Sequence, residues 1–291
     1  MIVTRFAPSP TGLLHLGHAF AALMAARAGR LLLRIEDIDA ARCRAEFVDA
    51  IFEDLHWLGL RWPEPVPRQS ERGATYRGAL DELARRGLLY PCFCTRKEIA
   101  QEIAGAVEAP HFADLTASRS GPDGPVYPGT CRHLSAAERA ARIAAGVPHA
   151  LRLDSAKAAA LAGPLSFEER GGGPDGELGG IAVRPALFGD AVLARKGANG
   201  APAAYHLAVV VDDAYQGVTL VTRGNDLFAA THVQRLLQAL LGLPEPAYAH
   251  HRLILDAEGR KFSKRDRAVT LRSLREGGAT AADVRARVGL S

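Results

Sequence analysis

The sequence predicts an α/β protein built on a parallel sheet. A strand pattern, a proline-rich turn, a helix and a second apolar strand follow one another within residues 2–35. Strand–helix–strand over so short a span is the opening unit of a parallel sheet. The same texture returns near residue 204, after a long interval rich in Gly, Pro and Ala. With 291 residues the chain has the length of about two domains and can bury a substantial core.

Taken in order, Ile2–Phe6 is a short strand pattern, and Ala7-Pro8-Ser9-Pro10-Thr11-Gly12 can continue neither a ladder nor a helix. The alanine-rich run from Leu16 to Gly29 is helical, and Arg30–Ile35 (RLLLRI) suits a buried strand. Helical patterns follow at Arg42–Leu58 and Ala74–Arg86. From 89 to 195 strong strand patterns thin out, and Gly105–Thr130 and Gly171–Gly180 read as loops. Ala204–Val211 and Val218–Thr222 then read as strands, Phe228–Leu241 as a helix and Leu253–Asp256 as a last strand before the basic loop Gly259–Arg265. The expected organisation is a first half of the sheet domain at 1–88 and an insertion at 89–195. The second half follows at 196–242, and 243–291 carries the basic loop, with only 26 residues after Arg265, too few for another independent domain.

Composition narrows the function classes. Apolar residues make up 48% and charged residues 23%, which excludes bulk disorder. Lys plus Arg number 36 against 32 for Asp plus Glu, a net charge of +4 that permits a polyanionic partner without requiring one. No stretch approaches the roughly 20 apolar residues of a membrane span. Arg5 and Pro8 interrupt the start, so no signal peptide is expected and the chain reads as cytoplasmic. Four cysteines do not make a disulfide scaffold, and the close pair Cys92 and Cys94 points to metal or redox chemistry.

Two distant stretches carry the chemistry. In the first, His15-Leu16-Gly17-His18 follows the PSPTG turn at the start of a helix. A helix N-terminus offers free N–H groups and partial positive charge, which suits phosphate. Imidazoles three residues apart share one face there, and Gly17 leaves room for a flat base. Alone, the pair reads as two solvated histidines; the turn just upstream favours the functional reading. In the second, Lys261-Phe262-Ser263-Lys264-Arg265 sits in a glycine-flanked loop able to close over a triphosphate. Alone it reads as a surface basic loop, and its weight comes from the pairing. Gly171–Gly176 satisfies G-x-G-x-x-G but lacks a preceding apolar strand and contains Pro174, so it is no dinucleotide fingerprint.

Together these stretches resemble the paired signatures of class I aminoacyl-tRNA synthetases, whose catalytic domain is a Rossmann-type parallel sheet. RFAPSPTG at 5–12, LRIEDID at 33–39, AYHLAVVVDD at 204–213 and VTLVTRGNDL at 218–227 resemble the glutamate-specific branch. The resemblance implies ATP contacts at His15, Gly17, His18, Lys261, Ser263 and Lys264, with His15, His18 and Lys264 catalytic and Mg2+ accompanying ATP. It implies glutamate contacts at Arg5, Ser9, Glu36, Tyr205 and Arg223. Arg5 and Arg223 are the guanidinium candidates for its carboxylates, and which meets which stays open. Asp212 and Asp213, read as the end of a buried strand, either bind ribose hydroxyls or terminate the strand.

Cys92-x-Cys94 followed by Tyr127-x-x-x-Cys131 offers three thiolates, which favour zinc and stop one ligand short of a closed site. The glutamyl-queuosine branch has a similar Cys-x-Cys and Tyr-x-x-x-Cys, in which the tyrosine oxygen completes the shell. That implies a structural Zn2+ on Cys92, Cys94, Tyr127 and Cys131, although the stretch 95–126 is longer than expected, and His111 or His133 competes as fourth ligand. Helix-borne Cys43 reads as packing. The short stretch after Arg265 implies no anticodon-binding domain. The expected activity is therefore tRNA-independent activation of glutamate and its transfer to queuosine at the wobble position of tRNA(Asp), by a monomer. The alternatives are charging of tRNA(Glu), ligation to a small amine, or a non-catalytic RNA-binding module.

Overall fold

The computed structural model describes residues 1–107, 120–122, 124–197, 203–255 and 269–290. The basic loop Gly259–Arg265, with Lys261, Ser263 and Lys264, lies outside the described residues, as does His111.

The chain opens with β1 (Val3–Phe6), α1 (Leu16–Ala28) and β2 (Arg30–Leu33), and β1 pairs with β2 in parallel from Val3↔Arg30 to Phe6↔Leu33. Helices α2 (Ala45–Trp57) and α3 (Gly73–Arg85) follow, then β3 (Leu89–Cys92), α4 (Arg96–Val107), β4 (Ser120–Gly121), β5 (Gly124–Pro125), α5 (Ala136–Ala144), β6 (His149–Leu153) and α6 (Ser155–Ala162). Next come β7 (Ser166–Glu169), β8 (Gly179–Ala182), β9 (Val192–Gly197), α7 (Tyr205–Tyr215), β10 (Leu220–Gly224), α8 (Ala230–Leu241), β11 (Ala247–His251), α9 (Leu271–Glu276) and α10 (Ala281–Arg287).

The central strands confirm the α/β reading. β10, β11 and β7 run parallel in that order, and β8 closes the edge antiparallel to β7. Thr219 N–H donates to Val3 O at 2.9 Å, which sets β1 beside the start of β10. Helix α1 is buried through Ala19, Phe20, Ala22, Leu23 and Ala25 because it packs on both the sheet and α10. That double burial explains its alanine-rich sequence, since small side chains allow close approach on two sides.

Four expectations need correction. Ala204–Val211 is not a strand: Ala204 caps helix α7, and Leu207 through Asp213 are all buried. A continuous apolar run looks the same in a buried strand and in a helix covered on every side. Leu253–Asp256 is not a strand either. The ladder runs earlier, at β11, whose AYAHH sequence carries little strand propensity, and Asp256 lies outside the described residues. The segment 89–195 is richer in strands than expected. β3, β6 and β9 form an antiparallel sheet, whereas the β7–β8 hairpin joins the central sheet beside β11. Cys43 precedes α2 instead of riding on it. No helix among the described residues is long and apolar enough to cross a membrane.

One buried acid makes a stability prediction. Asp54 on α2 is fully buried, and neither carboxylate oxygen has a hydrogen-bond partner among the described residues; Arg275 of α9 stands 3.7 Å away. Burial, only partly offset by Arg275 and Arg272, pushes this carboxyl up to about 6. A carboxyl whose pKa rises on folding disfavours the ionised native state. The penalty is absent below the unfolded value near 3.8, grows between the two values and is complete above about 6. It amounts to roughly 2–3 kcal/mol. Asp54→Asn should therefore raise Tm at pH 8 and flatten the stability profile between pH 4 and 6. Parallel Tm profiles for the two proteins would contradict this.

Candidate active site

A cavity of about 620 Å³ opens where β1 and β10 part. The strands are bonded at Val3 and Thr219, but farther along, the Thr222 carbonyl accepts from Arg5 Nη1 at 3.2 Å instead of from a backbone N–H. A side chain inserted between two parallel strands at their C-terminal ends makes the crevice where α/β sheets bind ligands. Arg5, Ser9, His15, Gly17, His18, Glu36, Tyr205 and Arg223 all line it, so the described members of both expected substrate sets meet at one cavity. Asp226, His251 and Arg252 line it as well, though nothing in their local sequence marks them as site residues.

The two histidines form the helix cap itself. Gly17 N–H donates to His15 Nδ1 at 3.1 Å, and His15 N–H donates to His18 Nδ1 at 3.2 Å. This is a reciprocal capping box with imidazoles in both roles. Each Nδ1 accepts, so each neutral ring carries its proton on Nε2 and is a donor there. Gly17 has a local reason to be glycine: a Cβ would lie 3.1 Å from His15 Cε1. The room it leaves is taken by the His15 ring folded back over the first turn.

Behind the cavity runs a buried relay of charges. Glu36 Oε1 accepts from Arg34 Nη2 at 3.2 Å, Arg34 Nη1 donates to Asp213 Oδ1 at 2.8 Å, and the same oxygen accepts from Arg5 Nε at 3.0 Å. Burial raises the Glu36 carboxyl, with Arg34 and Arg5 pulling the other way. Burial also opposes ionisation of Asp213, but Arg5 and Arg34 outweigh it and hold that carboxyl low. Asp212 takes Gln69 Nε2 at 2.8 Å, Arg72 Nε at 2.7 Å and Tyr76 OH at 2.8 Å, and its Oδ2 stands 3.7 Å from Arg34 Nε. Neither aspartate lines the cavity. They hold the arginines and polar groups around them, and neither ends a strand. Arg34 stands in the LRIED stretch, yet nothing in its local sequence shows that it bridges to residues near 213.

Arg223, at the end of β10, is 5% exposed and held on all three nitrogens by neutral acceptors: His250 Nε2 at 3.1 Å, Gln234 Oε1 at 2.7 Å and Thr231 Oγ1 at 2.6 Å. Neutral partners leave its charge for an anionic ligand. The cavity thus presents guanidinium groups, a carboxylate and imidazole donors at a helix N-terminus. That arrangement suits an acidic amino acid beside a phosphate ester.

The cysteine cluster lies apart, where the end of β3 at Cys92 meets Cys94 just after it and Cys131 in a 3-10 turn. The Sγ atoms of Cys92, Cys94 and Cys131 lie within 4.8 Å of one another, with Cys94 and Cys131 at 3.4 Å, and none forms a disulfide. Tetrahedral zinc at ~2.3 Å from each sulfur sets them roughly 3.8 Å apart, so the donor set fits a metal ion. Tyr127 OH stands 3.6 Å from Cys94 Sγ, and Phe93 N–H donates to Cys131 Sγ at 3.3 Å, the contact a thiolate ligand receives from its outer shell. Among the described residues, exposed His133 does not join the cluster.

Comparison with known proteins is consistent with this geometry. Residues 1–281 match the family described as tRNA synthetases class I (E and Q), catalytic domain. A glutamyl-Q tRNA(Asp) synthetase of Rhodobacter capsulatus is 48% identical, over 99% of this chain and 100% of its own. One from Nocardia farcinica is 46% identical, over 92% of this chain and 77% of its own. Glutamate–tRNA ligase 1 of Methylococcus capsulatus is 40% identical, over 95% of this chain and 56% of its own. A crystal structure of a glutamate tRNA ligase from Elizabethkingia meningosepticum with its amino acid superposes at a TM-score of 0.67 and 28% identity, over 91% of this chain and 52% of that one. The chain therefore spans about half the length of those glutamate–tRNA ligases.

Proposed function

Because this chain belongs to the class I tRNA synthetases of the glutamate and glutamine group, ATP-dependent ligases, we propose that it activates glutamate without tRNA and transfers it to queuosine at the wobble position of tRNA(Asp). The observation that carries this reading is the end-to-end match, at 48% identity, to a relative named for that substrate.

Glutamate's α-carboxylate attacks the α-phosphorus of ATP in line; an oxygen–phosphorus bond forms, the bond to the β-phosphate oxygen breaks, and pyrophosphate leaves. A queuosine hydroxyl then takes the acyl group and AMP departs. Arg5 and Arg223 meet the two carboxylates of glutamate, Glu36 its ammonium group, and Ser9 and Tyr205 fix its position. The Nε2–H groups of His15 and His18 stabilise charge on the phosphate as it builds, over the α1 N-terminus with Gly17 beneath. Lys261, Ser263 and Lys264, outside the described residues, contribute the second set of phosphate contacts. Mg2+ bound with ATP neutralises phosphate charge. The insertion at 89–195 receives the RNA arm, and the enzyme works as a cytoplasmic monomer.

The decisive experiment incubates the protein with ATP, glutamate and queuosine-containing tRNA(Asp) and analyses the nucleosides by mass spectrometry. Glutamyl-queuosine is the expected product. Glutamate on the terminal adenosine of tRNA(Glu), with none on queuosine, would replace this reading with the tRNA-charging one. No glutamate-dependent pyrophosphate exchange would leave an RNA-binding module.

A structural Zn2+ on Cys92, Cys94, Cys131 and Tyr127 is part of the proposal. Cys92→Ser should abolish zinc in elemental analysis and lower Tm, since losing a structural metal removes folding energy. Unchanged zinc content would reject the ligand set.

A further inference from the structure

We propose that Glu169 and His250 are positioning residues that aim Arg223 at the substrate; the inference rests on Arg223 contacting glutamate, as proposed above. The glycine-rich loop after β7, rejected as a nucleotide fingerprint, wraps a carboxylate of this chain. Gly171 N–H and Gly172 N–H donate to Glu169 Oε1 at 2.9 and 3.1 Å, and His250 N–H donates to the same oxygen at 2.9 Å. Gly171 has to be glycine, because a Cβ there would lie 2.2 Å from His250 O. The second oxygen, Oε2, faces His250 Nδ1 at 2.6 Å, with both side chains fully buried.

A carboxylate so surrounded is an acceptor only, so His250 Nδ1 carries the proton. Its Nε2 then has a lone pair, which takes Arg223 Nε–H at 3.1 Å. Reversing the tautomer would set an N–H of the imidazole against an N–H of the guanidinium. One end of Arg223 would lose its anchor, leaving Gln234 and Thr231 to hold the other. Glu169 thus decides, through His250, where Arg223 points. The three residues come from β7, β11 and β10, neighbouring strands of one sheet, so the relay is as rigid as that sheet.

Glu169→Gln tests the relay with a near-isosteric change. The amide satisfies either the three backbone N–H groups with its oxygen or His250 with it, not both. With its oxygen on the backbone groups, its NH2 faces Nδ1 and forces the proton to Nε2. The KM for glutamate in pyrophosphate exchange should rise roughly 10–100-fold, the worth of a hydrogen bond to a charged group, with the KM for ATP unchanged. His250→Phe should do the same, and His250→Gln, which can still accept from Arg223, should recover part of the loss. Arg223→Ala is the reference. If it leaves the glutamate KM unchanged, the reading of Arg223 falls, and the relay with it. If it raises that KM while Glu169→Gln and His250→Phe leave it unchanged or shift both KM values alike, the relay alone falls. Should the variants not fold, the imidazole 15N shifts of His250 in the native protein decide: a proton on Nδ1 supports the relay and a proton on Nε2 overturns it.

Discussion

Asp213→Ala is expected to lower Tm by roughly 10 °C and to weaken glutamate binding at the same time. Asp213 is the only acid placed between Arg5 and Arg34 among the described residues, at 3.0 and 2.8 Å, and Arg34 is fully buried. Removing one partner of a buried ion pair costs about 3–5 kcal/mol, and the charge left without its carboxylate here is that of Arg5. Arg34 retains Gln216 at 2.7 Å, Glu36 at 3.2 Å and Asp212 at 3.7 Å, which places the loss within that range and not above it. Arg34→Met in the Asp213→Ala background should lower stability further, since it strands the carboxylates of Glu36 and Asp212 that Arg34 still pairs with. It should not restore binding, because Arg5 still lacks the contact that orients it and Glu36 has lost its brace. A melting curve superimposable on that of the native protein would mean that the two guanidinium groups find other partners, and the relay would then lose its role.

That relay also marks how far the sequence could be read. The β1–turn–α1–β2 unit was legible because its punctuation is local: two prolines and a glycine end the strand, and an alanine-rich run follows. Its histidines and the RIED stretch are close in sequence to the elements that place them. Cys92 and Cys94 were legible as a close pair, and Cys131, which the structure brings to them, was reached across a long stretch only through the resemblance. What was not legible depends on pairing across the chain. Asp213 is tied to Arg34 and Arg5, His250 to Glu169, and Tyr76 to Asp212, and no local pattern announces any of these. The misreading of Ala204–Val211 has the same origin. α7 is covered on every side, so its polar face is missing, and with it the 3.6-residue period that separates a helix from a strand. The aspartates at its end looked like a strand terminus because their partners lie some 140 to 210 positions away.

His15→Asn separates the two tasks of the first histidine. His15 is the N-cap of α1, and its Nδ1 accepts from Gly17 N–H. Asparagine is among the best N-cap residues and supplies an acceptor there, whereas alanine supplies none and costs about 1 kcal/mol. Neither residue carries a donor where the imidazole Nε2–H stands. If that donor meets the phosphate in the transition state, both variants should lose roughly 10²–10³ in kcat for pyrophosphate exchange. The KM for glutamate should hold in both, and only the alanine variant should lose Tm. His18→Ala should behave differently again, because it removes both the second donor and the acceptor for His15 N–H, and so should lose rate and stability together. The two rings lie 3.8 Å apart between centroids, so their substitutions should not add: removing both should cost less than the product of the single losses, as expected of groups that act on one phosphate as a unit. A His15→Asn protein with the native exchange rate would reduce His15 to a helix cap and move the phosphate chemistry elsewhere in the cavity.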